Sequence, residues 1–181
     1  NAGVKLNNRQ LRVCEESDEF SGAIHSLAHH PFMNKIMSKS QRKNGSDKDI
    51  IRQTLMLIMT NKDHDFTSFK SNDIDSFVRD YGEEALLKVN TLKEALDKLD
   101  NSFNELKIKQ LDVPMVLFVS YRCTKDNKSF SKLVDKIKQF VADYNETDKL
   151  QDYKKYSQSS TTSSENVRGR LDYWRGVIRE L

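Results

Sequence analysis

Val113–Arg122 reads VPMVLFVSYR, and whether this run is a strand or a helix decides the fold. Its β-branched and aromatic content suits a strand equally well. Asp112 just ahead of it is an N-cap residue type, and Pro114 fits a first helical turn, where a missing N–H costs nothing. The segments on either side are helical in pattern and no partner strand is visible, so the run is read as a buried helix. Downstream, Phe130, Leu133, Val134, Ile137, Phe140, Val141 and Tyr144 form one apolar stripe, with Lys132, Asp135, Lys136 and Lys138 on the other side. Upstream, Val89, Leu92, Leu96, Leu99, Phe103 and Leu106 are spaced by threes and fours. That seam predicts one long helix over about 83–106, packed antiparallel inside a bundle.

Working further out gives more helices. After an Asn7 cap, Leu11 and Val13-Cys14 give a short first helix; Phe20, Ile24, Leu27 and Ala28 recur at helical spacing in a second that Asp18 starts, Pro31 closes that helix or opens the next, and Phe32, Ile36 and Met37 make a short third one. SKSQRKNGS follows as a polar, basic loop. Ser46 and Asp49 have capping-box spacing, with Asp in place of Glu, ahead of IIRQTLMLIM, which is apolar nearly all round and should be the most buried helix. Residues 61–70 are irregular. Ser71 or Asn72 should cap a helix carrying Ile74, Phe77, Val78 and Tyr81, ended or kinked at Gly82. A polar helix covers roughly 148–156, SQSSTTSSEN is a hydroxyl-rich connector able to cap through Ser163 or Ser164, and the last helix presents Val167, Leu171, Trp174 and Val177 or Ile178 inward. The expected fold is all-α, an irregular multi-helix bundle of about seven to nine helices. Residues 1–181 then form one helical domain: a core over 1–60, a long-helix bundle over 61–156, the connector at 157–164 and a terminal helix over 165–181.

Composition agrees. Six glycines and two prolines in 181 residues are too few for an all-β chain that turns every ten residues or so, and 36% apolar with 31% charged residues requires amphipathic elements. Cys14 and Cys123 have neither CxxC spacing nor the density of a disulfide framework, so a reducing, cytoplasmic setting is expected. The longest apolar runs are far short of the roughly 20 residues that span a bilayer, which predicts no membrane partner. The net charge of +3 is mildly basic and compatible with nucleic acid without requiring it.

Patterns for a self-contained enzyme are missing. GxxxxGKS, GxGxxG and GxSxG do not occur. His25 and His29 stand one helical turn apart, a spacing zinc can use, but the glutamate of an HExxH motif and a third ligand are not in sight, so no metal site is assigned. Asp18-Glu19 and Asp63-His64-Asp65 are ordinary polar clusters. The basic residues are more informative. Lys39, Arg42, Lys43 and Lys48 lie within ten positions, and Arg168, Arg170 and Arg175 add a second basic surface suited to phosphates. Arg52 is unusual, a guanidinium on an otherwise apolar helix. It must snorkel to the edge or be paired with a carboxylate or an anionic ligand.

The amino-terminal stretch NAGVKLNNRQLR, residues 1–12, is similar to the segment that ends the ParB-like core of the domain-of-unknown-function-262 family, the GmrSD-type restriction and anti-phage proteins. In that family a strand-borne F-x-R-x-N is followed by a glycine, a leucine and a short helix with an arginine, and Asn1, Gly3, Leu6 and Arg12 stand at the matching places. HPFMNKIM, the loop with Arg42, the acid pair Asp47 and Asp49, and IIRQTLMLI with Arg52 continue the resemblance, loosely extended to the end of the chain by ENVRGRLDYWR. The resemblance implies a fragment: the DGQQR motif of the family's amino-terminal half and its HNH nuclease domain are not in this sequence. It further implies a helical region without activity of its own, with no cofactor in this fragment, although NTP with magnesium would serve the full-length protein. Its partners would be the absent ParB-like half and DNA, with Asn1, Gly3, Arg12, Arg42 and Arg52 completing one wall of a nucleotide or DNA pocket and Lys39, Lys43, Lys48, Arg168, Arg170 and Arg175 forming the basic surface. Self-association into a homo-oligomer stays open. Two other readings stand beside this one. The first is a stand-alone phage or bacterial interaction module or inhibitor that does not touch nucleic acid. The second is a nucleotide-binding enzyme with an unfamiliar site.

Overall fold

The decisive stretch is helical. In a computed structural model that describes Arg12 and residues 16–181, Val113–Lys125 is a helix with eleven of its thirteen residues buried. Pro114 sits in its first turn, as its missing N–H allows. The described residues form ten α-helices and no strand: α1 (Asp18–Ala28), α2 (Pro31–Ile36), α3 (Lys39–Lys43), α4 (Ser46–Met59), α5 (Ser71–Leu86), α6 (Val89–Ser102), α7 (Val113–Lys125), α8 (Phe130–Tyr144), α9 (Gln151–Lys154) and α10 (Ser164–Arg179), with 3-10 turns at Gln110–Asp112 and Lys155–Ser157. The all-α fold class is thus observed, with seven long helices and three short ones.

α7 is the axle of the bundle. It packs on α4, α6, α8 and α10, and this is why its sequence is apolar on every side. α4 buries eleven of fourteen residues and packs on α1, α5 and α7, so the expected burial of IIRQTLMLIM holds, although α7 is buried more completely still. Buried apolar side chains from Phe20 to Ile178 form one continuous cluster. At its carboxyl-terminal end aromatic rings fill the space between α8, α9 and α10: Phe140 lies 4.8 Å from Trp174 and 5.0 Å from Tyr153, which is in turn 5.0 Å from Tyr173.

Several local expectations change. The long helix over 83–106 is two helices, because the chain breaks at Leu87 and Lys88 between α5 and α6, leaving Leu87 77% exposed. Phe103 and Leu106 keep the apolar spacing and are buried, but lie beyond α6 in extended chain. Gly82 does not end α5; it is buried within the helix, where a Cβ would lie 3.6 Å from the Phe20 ring. That helix starts from Lys70 without a side-chain cap, not from Ser71 or Asn72. SKSQRKNGS is not a simple loop: Ser38 and Gln41 form a reciprocal capping box that opens α3. Ser46 and Asp49 form no such box. Gly45, in the left-handed region at φ 80°, turns the chain into α4, and the Ser46 hydroxyl donates to the Asn44 side chain at 2.6 Å. The polar helix expected over 148–156 shrinks to α9 and one 3-10 turn. Ser163 does cap α10, accepting from the Asn166 N–H at 3.4 Å.

Candidate functional site

Buried charges form two groups, one around α4 and one around α10, and the predicted arginines divide between them. Arg52 is 2% exposed on α4. Its Nε donates to Glu16 Oε1 at 2.5 Å and its Nη1 to Asp49 Oδ1 at 3.1 Å, while the Glu16 side chain is wholly buried. Arg12, also 2% exposed, donates through Nη1 to the same Asp49 oxygen at 2.5 Å, through Nε to Asp75, and through Nη2 to the Ser71 hydroxyl at 2.9 Å. Asp49 is therefore a bridge between two guanidinium groups. Ions removed from water need such partners, since an unpaired buried charge costs several kcal/mol. The arrangement fastens residues 12 and 16 to α4 and α5 just before Ser17 caps α1. Asp47, the other half of the acid pair, is buried and accepts from the Lys48 backbone N–H at 2.9 Å.

The second group is on the carboxyl-terminal side. Arg170 is 1% exposed, so it does not belong to the basic surface assigned to it from sequence. Its guanidinium donates to the Tyr156 carbonyl at 2.7 Å and the Thr161 carbonyl at 2.8 Å, holding the hydroxyl-rich connector against α10. The spacing Val167, Arg170, Trp174, Val177 places it on the inward face, a signal that was present in the sequence. Beneath it Asp112, fully buried, accepts from the Tyr153 hydroxyl at 2.5 Å instead of capping α7. Burial pushes the Asp112 carboxyl up to about 6 despite the Tyr153 hydrogen bond and the nearby Arg170 charge. Burial, then the Asp112 charge, also raises the Tyr153 phenol well above its ordinary value, and burial lowers the Arg170 guanidinium.

Between the two groups opens a cleft of about 330 Å³. Ser46, Asp49, Ile50 and Gln53 of α4 form one wall, Thr161, Thr162 and Arg170 another, and Phe69, Gln110 and Leu111 complete it. Its shape is fixed by a backbone bond from the Phe69 N–H to the Thr162 carbonyl at 2.9 Å, which ties the 61–70 segment to the connector. The Thr67 and Ser164 hydroxyls, 2.8 Å apart, add a second tie.

The remaining predicted residues are dispersed. Lys39 and Lys43 are exposed on α3 and Lys48 is half-buried, and among the described residues none of the three pairs with a carboxylate. Arg42 is half-buried and donates to the Asn34 side chain. Arg168 pairs with Asp65, and Arg175 with Asp172 at 3.1 Å. Asn1 and Gly3, with Leu6, Asn7, Leu11, Val13 and Cys14, lie outside the described residues. The Arg12, Arg42 and Arg52 expected in one pocket wall do not share one: the first and third are enclosed in the ion-pair group, and Arg42 is held by α2. His25 and His29 stack at 4.0 Å, and the His29 charge, then burial, lowers the His25 imidazole. Among the described residues no three His, Cys, Asp or Glu side chains are grouped to hold a metal ion. Cys123 is free and buried, and no helix of the described residues is long and apolar enough to cross a membrane. Sequence reading missed Glu16, Asp75 and Tyr153 and took Asp112 for a helix cap; their partners are 36 to 63 positions away and leave no periodic trace.

No protein-family model matches this chain, and comparison with curated proteins and with solved structures finds no match either.

Proposed function

We propose that this chain is the non-catalytic helical module of a DNA-directed restriction or anti-phage defence protein of GmrSD type, supporting a ParB-like catalytic half and offering a basic surface to DNA. The observation that carries the reading is the enclosure of Arg12 and Arg52 by Glu16, Asp49 and Asp75. These arginines bear much of the resemblance, and their charges are committed inside the module. Their work is to fix the segment that leads from residues 1–12 into the bundle, so that a catalytic half attached there would rest on a rigid base. Contact with phosphates falls to Lys39, Lys43 and Lys48, together with Arg42, which are grouped around α3 and the start of α4 and, among the described residues, pair with no carboxylate. NTP and magnesium would be held by the catalytic half.

The test is a salt titration of duplex DNA binding. Affinity should fall linearly in log–log form as salt rises, and the triple variant Lys39→Ala/Arg42→Ala/Lys43→Ala should flatten the slope by about two to three units, close to one per phosphate contact removed. Absence of affinity at about 50 mM salt would reject the DNA-directed reading. The chain alone should hydrolyse no NTP; hydrolysis that Arg52→Ala abolishes would replace the module with an enzyme.

A further inference from the structure

The cleft between α4 and the connector has a chemical character that differs from the rest of the surface. Of its two charged side chains, Asp49 is held by Arg12 and Arg52, and Arg170 spends Nη1 and Nη2 on two backbone carbonyls while its buried Nε has no partner among the described residues. The other polar groups of its lining are neutral. Among the described residues the Gln53 amide makes no hydrogen bond, the Gln110 NH₂ donates to nothing, and the Thr161 and Thr162 hydroxyls are unengaged. Donors and acceptors are thus present together, over apolar surface from Phe69, Ile50 and Leu111. A flat heterocycle with mixed donor and acceptor edges would find partners along those edges. Glutamine amides are well suited to such edges, since they can donate and accept side by side. A volume near 330 Å³ lies at the small end of ligand sites.

The rim explains where a phosphate would go. Gln41 of α3 donates from Nε2 to Gln110 Oε1 at 2.8 Å, so the helix carrying Lys39 and Lys43 abuts the mouth of the cleft. We infer that the cleft receives a nucleobase of single-stranded or locally unstacked nucleic acid, with the amides of Gln53 and Gln110 and the Thr161 hydroxyl reading its edge while the adjoining phosphates lie along α3. The inference rests on the DNA-directed reading above and adds the unit that is bound.

The experiment compares two single strands of equal length and charge, one of ten thymidines and one of ten abasic residues, titrated against the whole chain at low salt. The thymidine strand should bind about tenfold more tightly, the range expected when one base is stacked and hydrogen-bonded. Gln53→Ala/Gln110→Ala should reduce it to the level of the abasic strand without changing the salt slope, and both positions are open enough for the variant to fold, which its thermal melt would verify. Equal affinity for the two strands alongside retained duplex binding would overturn the cleft assignment and leave the DNA reading intact. A double variant that melts like the parent and still prefers thymidine would also overturn it. Loss of all binding, duplex included, would remove both.

Discussion

The two buried charge groups use the same residue type in opposite ways. On the amino-terminal side, Arg12 and Arg52 face three carboxylates, so nearly every hydrogen bond joins full charges. On the carboxyl-terminal side, Arg170 donates to neutral carbonyls and Asp112 accepts from a neutral phenol, the two charges acting on one another only through space. The first group is a clasp whose parts fail together. The second is a brace that shapes a loop and leaves one carboxyl under strain from burial. Burial of charge by itself therefore says little about role; the partners decide it.

The difference can be broken by substitution. Arg52→Met leaves Glu16 buried without its partner and Asp49 with Arg12 alone, and should lower unfolding free energy by about 3–5 kcal/mol in urea titration, whereas Glu16→Leu/Arg52→Met should recover most of that loss. Arg170→Met orphans only two carbonyls and should cost about 3 kcal/mol. It should also speed amide hydrogen exchange in residues 159–162 before the rest of the chain, and uniform protection would contradict the brace. The Asp112 carboxyl titrates near 6 when folded and near the ordinary carboxylate value when unfolded. Its protonated form is thus favoured by folding: the stability it confers is present below pH 4 and lost as pH rises through about 6, a change of roughly 2–3 kcal/mol. Asp112→Asn should flatten the stability profile over that window, and an unchanged profile would show that another group titrates there. Lys39→Ala/Lys43→Ala, on the exposed face of α3, should move stability by less than about 0.5 kcal/mol.

Periodicity carried most of the fold. Stripes such as Leu133–Ile137–Phe140 and Val167–Leu171–Trp174 repeat at one helical pitch and could be placed without any tertiary information. The break at Leu87 and Lys88 could not, because Val89, Leu92 and Leu96 continue the apolar rhythm with no glycine or proline to interrupt it. Capping was legible where one side chain served its own helix, as at Ser163, and misleading where another contact took the residue: Asp49 is drawn to arginines and Asp112 to Tyr153. The site was legible in part. Arg52 was anomalous for its surroundings, and a buried paired guanidinium was one of its two readings. Its partner Glu16 and the cleft between Gln53 and Gln110 arise only when distant segments meet.

Under the proposed function Arg52 is spent within the clasp and makes no contact with DNA. Glu16→Leu/Arg52→Met tests it directly, because it removes the guanidinium together with its partner carboxylate. If the proposed function holds, the double variant folds and keeps the duplex affinity and salt slope of the parent. A folded double variant that loses affinity, with the slope reduced by about one phosphate contact, would place Arg52 on the nucleic acid and contradict it.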